Sequence, residues 1–299
     1  MQQRRLGQQG PSISAIGLGG MLLSISGRPP SDQAAITIHA ALEAGINWID
    51  TADAYCLDAT EFNHNEELLR RILGPRRREL FIATKCGCLR PGGAWTVDAH
   101  PEVLRNAAHA SLKALGVETL DLLQLHAPDS RVPFSDSVGA LARLRDEGKV
   151  RHIGLCNVTV QHIVAASAIT PIASVQHRYN VADRRAESNG VMDHCTRSGI
   201  AFIAYSPFGG TLGAPVLPTH GKLAELARRR RVSAYRMILA WMLAKSPWLM
   251  PVVGTRRPES IRDSARAASL PLDPREVQVL DETLDGSPPP SSPEQPKPA

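Results

Sequence analysis

Short runs rich in apolar and β-branched residues recur along the chain, each followed by a longer stretch whose apolar residues return every three or four positions; this alternation predicts repeated βα units. Eight runs have strand character: Ile13 to Leu18, Ile46 to Asp50, Leu80 to Thr84, Leu120 to Leu125, Val150 to Leu155, Ala173 to Gln176, Ile200 to Ala204 and Leu249 to Val253. Helices are expected to begin near Ser31, Asn63, Pro101, Ser135, Val160, Ser188, Gly221 and Pro258. A run such as Asp121-Leu122-Leu123-Gln124-Leu125 leaves no wet face, as parallel strands covered on both sides require. Eight such units close into an α/β fold of the (β/α)8 TIM-barrel type, with an open doubly wound sheet as the alternative that periodicity alone leaves standing. Two further helical stretches, Ser233 to Lys245 and Pro274 to Leu284, exceed the eight units and are expected to pack outside the barrel. The barrel is expected to fill a single domain over residues 1–285, followed by a disordered tail over 286–299, which is almost entirely Pro, Ser and polar residues.

In such barrels the active site forms at the carboxyl ends of the strands, so the residues that end each run carry the information. The second run ends in Asp50-Thr51-Ala52 with Tyr55 beyond it, the third in Lys85, the fourth in His126, the fifth in Cys156-Asn157, the sixth in Gln176, the seventh in Tyr205-Ser206 and the eighth in Gly254-Thr255-Arg256-Arg257. Any one of these has a bland explanation, a helix cap or a core histidine. Together a carboxylate, an ammonium, a phenol and an imidazole form a proton-delivery unit. Tyrosine titrates near 10 and is a reluctant acid at neutral pH; the Lys85 ammonium is expected to lower that pKa, with Asp50 holding the lysine charged and His126 orienting a carbonyl or the phenol. His39, His109, His162 and His194 lie in helical stretches and His152 near a strand start, which leaves His177 as the competing imidazole near a strand end.

Composition excludes more than it selects. The 299 residues are 43% hydrophobic and carry a formal charge of +5, within the range of ordinary globular chains. The arginine clusters at 76–78 and 228–231 have no interleaved aromatics, so a solvated basic surface is expected and no nucleic-acid partner. No apolar run reaches membrane-spanning length and Met1 to Gly10 is polar, so no membrane association and a cytoplasmic location are expected. Five scattered cysteines read as free thiols, and the Cys86-Gly87-Cys88 pair lacks metal-ligand spacing, so no metal is expected. A monomer is the default.

The stretches Trp48-Ile49-Asp50-Thr51-Ala52-Asp53-Ala54-Tyr55, Phe81-Ile82-Ala83-Thr84-Lys85 and Asp121-Leu122-Leu123-Gln124-Leu125-His126 resemble, in order, the three catalytic segments of the aldo-keto reductases, and the likeness runs from about Arg5 to Leu284. The resemblance implies carbonyl reduction by hydride transfer from NADPH, with Tyr55 protonating the oxygen. It further implies that Asn157 and Gln176 hold the nicotinamide carboxamide, that Tyr205 stacks under the ring, and that Ser206, Pro207 and the chain through Leu212 wrap the pyrophosphate. Gly254, Thr255, Arg256 and Arg257 would then hold the adenosine end. Pro258 suits a first helical turn, whose free amides beside two arginines favour a 2′-phosphate, hence NADPH over NADH. Departures from the family pattern are Cys56 after the tyrosine, Cys156 before the asparagine, and Ser260 with Asp263-Ser264 on the adenosine helix. Met21, Leu22, Cys56, Leu89 and Trp95, with Phe208 opposite, outline an apolar pocket for an aryl or alicyclic carbonyl.

Competing readings are weaker on the residues. Gly17-Leu18-Gly19-Gly20 lacks the third glycine of a dinucleotide fingerprint, Leu22 standing there. No tyrosine has a lysine four residues on, a barrel glycosidase would need two carboxylates at the mouth where only Asp50 is acidic, and a metal hydrolase would need paired histidines at an early strand end. A nicotinamide-binding regulatory subunit of the same fold, with little turnover, remains the rival from another class.

Overall fold

The computed structural model describes residues 1–219 and 221–283. The expected tail over 286–299 lies outside the described residues. Eight parallel strands close into a barrel in chain order: Gly17–Gly19, Trp48–Asp50, Phe81–Cys86, Leu120–Leu125, Val150–Cys156, Ile172–Arg178, Ala201–Tyr205 and Leu249–Gly254. Closure comes from the eighth strand pairing with the first, Val252 opposite Gly17 and Gly254 opposite Gly19, which removes both sheet edges and with them the open-sheet alternative. No helix of the described residues is long and apolar enough to cross a membrane.

The first expected strand is in fact two elements. Ser12–Ser14 pairs antiparallel with Gln3–Arg5, and the barrel strand proper starts at Gly17. The hairpin turns where Gly7 takes φ +68°, and it carries Leu6 and Ile13 into the barrel interior, against Trp48, Ala83, Leu122, Ile203 and Met250. Trp48 Nε1 donates to the Ser14 carbonyl at 2.7 Å, and Arg4, buried, donates to the carbonyls of Leu243, Ser246 and Leu249. The hairpin therefore stoppers the amino-terminal end of the barrel. Gly17 makes room for the stopper: a Cβ there would lie 2.4 Å from the Trp48 ring.

Helix assignments hold with one exchange. Ala234–Lys245, expected outside, is the helix that covers the barrel between strands seven and eight; Met237, Ile238, Leu239, Trp241 and Met242 are all buried and it packs on the eighth strand. Gly221–Arg229, expected in that place, lies outside it, against Pro274–Thr283. The reason is in the sequence. The 234–245 segment is apolar nearly all round, while the Gly221 helix has a charged face bearing Lys222, Glu225, Arg228 and Arg229. The helix expected from Ser188 starts at Val191, after a short turn Arg185–Ser188, because Gly190 breaks it at φ +79°.

Along each strand alternate residues face inward, and these inward sets climb from apolar to polar. Trp48 is followed by Asp50; Ala83 by Lys85; Leu122 by Gln124 and then His126; Ile203 by Tyr205; Ser174 by Gln176 and Arg178. The lower layers are the core, and the topmost layer is the site.

Candidate active site

Lys85 lies at the centre, fully buried. Its ammonium donates to Asp50 Oδ2 at 2.5 Å, to the Thr51 carbonyl at 2.9 Å and to the Tyr55 hydroxyl at 2.8 Å. Three N–H donors thus meet three acceptors, and the lysine is fixed. Burial opposes the charge on Lys85, yet Asp50 foremost among its polar neighbours outweighs burial and the net displacement of its pKa is upward. The other oxygen of Asp50 accepts from Gln176 Nε2 at 2.8 Å and Gln124 Nε2 at 3.3 Å. A buried ion pair satisfied on all sides in this way is well held.

Tyr55 departs from expectation in one respect. Burial raises its pKa and exceeds the lowering by Lys85, so the net direction is up, not down. The phenol keeps its proton over the whole working range of pH. His126 is buried, and both ring nitrogens lack a partner. Burial, helped by the Lys85 charge, pushes its pKa well below the usual histidine range, so the ring is neutral with one donor and one acceptor nitrogen. It stands edge-on to Tyr55, ring centres 6.0 Å apart, and to Trp95 at 5.9 Å. His177, the competing imidazole, faces the other side of its strand and accepts the Val158 N–H on Nε2 at 3.1 Å; burial lowers its pKa to about 4.

Two cavities open at this mouth. The inner one is lined by Gly19, Met21, Leu22, Asp50, Tyr55, Arg178, Tyr205, Ser206, Pro207, Phe208 and Gly254, among others. The outer is lined by Phe208, Tyr235, Gly254, Thr255, Arg257, Ser260, Asp263 and Ser264. They share Phe208, Ala214 and Gly254, and so form one trench from Tyr55 to the helix Pro258–Ala265. Glycines 19 and 254 line this trench, and the start of the helix Pro258–Ala265 with Arg257 stands at its outer end, a shape and chemistry that would fit an extended dinucleotide; the unpartnered His126 ring lines neither cavity and stands behind Tyr55. Asn157, at φ +58°, donates to the His126 carbonyl at 3.0 Å and accepts from the Tyr205 hydroxyl at 3.0 Å, which stitches strands four, five and seven across the mouth.

Several expected residues sit elsewhere than anticipated. Arg256 does not line the trench; its Nε donates to the Leu22 carbonyl at 3.2 Å and its Nη2 to the Ser26 carbonyl at 3.1 Å, strapping the last loop to the first. Asp263, though at the trench, is held by Arg236 and by the Ser233 hydroxyl. Cys56 is buried beneath the rim, its thiol pushed up to about 11 by burial, and it faces the Ala54 carbonyl instead of a pocket. Leu89 belongs to a small hairpin with Thr96–Val97 and lines neither cavity. Phe208 lines the inner cavity with Met21, Leu22 and Tyr55, as expected, and also packs edge-on against Tyr235, 5.1 Å between centres, at the junction with the outer one. The side chain of Leu212 lies outside the described part of the chain. Met21 and Leu22 line the inner cavity with Tyr55; Trp95 lines neither cavity but stands edge-on to Tyr55 at 6.4 Å between ring centres, and Asn157 and Gln176 also line neither.

Reading strand ends overlooked three residues. Gln124, the polar residue inside an apolar strand, braces Asp50 from within the barrel; inward alternation from His126 would have found it. Arg178 shares the inward face of Gln176, two residues on. Arg90 stacks 4.2 Å over the Trp95 ring and donates to the Leu57 carbonyl at 3.1 Å, tying the loops after strands two and three together.

The model of the Aldo/keto reductase family matches residues 15–285. Over 276 residues the chain is 34% identical to an uncharacterized oxidoreductase of Schizosaccharomyces pombe, C215.11c, covering 90% of this chain and 86% of that one. It is 32% identical over 281 residues to pyridoxine 4-dehydrogenase of Escherichia coli, covering 90% and 94%. Among solved structures, the glycerol dehydrogenase AKR11B4 from Gluconobacter oxydans superposes with TM-score 0.82 at 25% identity, covering 94% of each chain. The thermostable aldo-keto reductase Tm1743, in complex with the inhibitor epalrestat, gives 0.80 at 27% identity, covering 95% of this chain and all of that one.

Proposed function

The chain belongs to the aldo/keto reductase family, an oxidoreductase enzyme on a TIM barrel, and on that premise we propose that it reduces an aldehyde or ketone to an alcohol with NADPH, Tyr55 protonating the carbonyl oxygen. The observation that carries the reading is the Lys85 ammonium holding the Tyr55 hydroxyl at 2.8 Å on the wall of the trench. Because the phenol oxygen accepts from Lys85, its own hydrogen is directed elsewhere, and the cavity is where a carbonyl oxygen would meet it. His126, neutral and with a free ring N–H, offers the same oxygen a second donor. As the proton leaves, the phenolate forms against an ammonium already fixed by Asp50 and Thr51, so no reorganisation is needed to stabilise it.

Bound NADPH would supply a hydride equivalent. By the family resemblance Gln176 and Asn157 would meet the carboxamide and Tyr205 would flank the ring; Tyr205, Ser206, Pro207 and Gly210 line the inner cavity, while Gln176 and Asn157 stand behind it, bonded to Asp50 and to Tyr205. Thr255, Arg257, Ser260 and Ser264 line the outer cavity for the adenosine end, and of the two arginines Arg257, held only by a long, exposed ion pair to Glu259 at 3.5 Å, is the one that would meet a 2′-phosphate. Met21 and Leu22 on the inner cavity, with Trp95 beside Tyr55, would give the substrate an apolar wall suited to an aryl or alicyclic group. The test is a panel of aldehydes and ketones, pyridoxal among them, followed by NADPH absorbance. Steady turnover supports the reading. Tight NADPH binding with no turnover across the panel would overturn it in favour of a cofactor-binding regulatory subunit.

A further inference from the structure

Gln176 and Arg178 sit two residues apart on the sixth strand and share its inward face, while His177 between them points outward to Val158. Among the described residues Arg178 is the sole cation lining the inner cavity, and the sole anion there, Asp50, is committed to Lys85. The Arg178 side chain is 17% exposed. Its own contacts are long: Nη2 to the Gly209 carbonyl at 3.3 Å and Nε to Asp183 Oδ2 at 3.5 Å. Asp183, in turn, is gripped by Arg185 through Nε at 2.8 Å and Nη2 at 2.6 Å. Two guanidinium groups share one carboxylate, and Arg185 has the better bonds, so a positive charge is left over on the cavity side.

The position of that charge is informative. The cavities join at Phe208, Ala214 and Gly254, and Arg178 touches Gly209, the residue after Phe208. A dinucleotide with its nicotinamide beside Tyr55 and its adenosine beside Ser264 must carry its two bridging phosphates past this junction. Two negative charges in a half-enclosed trench require a cation within reach.

We propose that Arg178 is a phosphate ligand for the pyrophosphate bridge of the cofactor, held at the trench by Asp183. The proposal rests on the nicotinamide-cofactor reading above and adds a residue to it. It also predicts a different selectivity from Arg257: the pyrophosphate is common to NADPH and NADH, so Arg178 acts on both alike.

Equilibrium titration of intrinsic tryptophan fluorescence with NADPH, NADH and adenosine 2′-monophosphate separates the possibilities without any turnover. Arg178→Gln is expected to weaken NADPH and NADH by the same factor, roughly ten- to a hundredfold for loss of a charge-assisted hydrogen bond, and to leave the monophosphate, which has no pyrophosphate, unchanged. Arg178→Lys, which keeps the charge, should recover part of the loss and guards against a folding defect in the glutamine variant. Unchanged dinucleotide affinities in both variants would overturn the proposal, as would an equal loss for all three ligands, which would mark Arg178 as a tether of the Gly209 loop. If the unaltered protein bound neither dinucleotide, the functional reading would fail along with this one; if it bound them and the variants did too, only this one would fail.

Discussion

Tyr55→Phe divides the chemistry of the site from its architecture. Phenylalanine keeps the ring that packs edge-on against His126 and Trp95 and removes one oxygen. Lys85 retains its bonds to Asp50 and Thr51 and is left with one unused donor in a buried place, a cost of about 1–3 kcal/mol, or a few degrees in Tm for a domain of this size. The loss in rate is larger. Removal of a positioned general acid costs about a hundred- to ten-thousandfold, roughly 3 to 5 kcal/mol of barrier, while cofactor affinity is expected to stay within a factor of about three, since no bond to the cofactor is deleted. Lys85→Met gives a comparable loss of rate by stripping the phenolate of its charge partner, but it also strands Asp50, 2% exposed, without a counter-charge, about 3–5 kcal/mol of stability. The two rate losses should be far from additive in the double variant. The assay is NADPH consumption with the best carbonyl found, beside fluorescence titration of the cofactor and thermal unfolding. A Tyr55→Phe enzyme that kept more than a tenth of its turnover while binding NADPH would refute the assignment of the acid.

Three further outcomes follow from particular contacts. Arg257→Ala should lower the preference for NADPH over NADH by roughly ten- to a hundredfold, whereas Arg256→Ala, which cuts only the strap to Leu22 and Ser26, should weaken both cofactors together; paired titrations read the difference, and a lost preference in the Arg256 variant would reverse the roles. His177, whose folded pKa is about 4 against roughly 6.5 unfolded, should contribute stability that is complete above pH 6.5 and lost on acidification to pH 4, on the order of 3 kcal/mol, because the unfolded chain takes the proton first. Urea unfolding of the wild type and His177→Gln across that window should diverge by this amount, and parallel profiles would count against it. Gly17→Ala forces a methyl into the Trp48 ring and should cost about 1–3 kcal/mol by overpacking, with Tm falling and KM unaffected; an unchanged Tm would show that the stopper has slack.

The barrel and the Asp50, Tyr55, Lys85 and His126 cluster were legible because period-2 strands end in polar residues at one end only, and chain order sets strand order in a closed barrel. What escaped was tertiary. Whether Ser233 or Gly221 begins the covering helix depends on which of two adjacent helical patterns is apolar all round, which was readable but overshadowed by counting units. The commitment of Arg256 to two carbonyls more than 200 positions away in the chain leaves no local trace. The rise of the Tyr55 pKa depends on how completely the surrounding loops bury it, a quantity that composition does not carry, and a charge-pair argument made without it gave the wrong sign.

The packed lower layers of the barrel, capped where Leu6 and Ile13 of the hairpin meet Trp48 of the second strand, leave the trench a single mouth. The trench is entered and left by the same door, and on the proposed reading the nicotinamide end would lie deepest, beside Tyr55 and Asp50. A substrate standing over that ring would bar the cofactor from leaving. Turnover on that reading would be a queue, cofactor first in and last out with product departing before the spent dinucleotide, and exchange of the deeper guest would set the pace of the cycle.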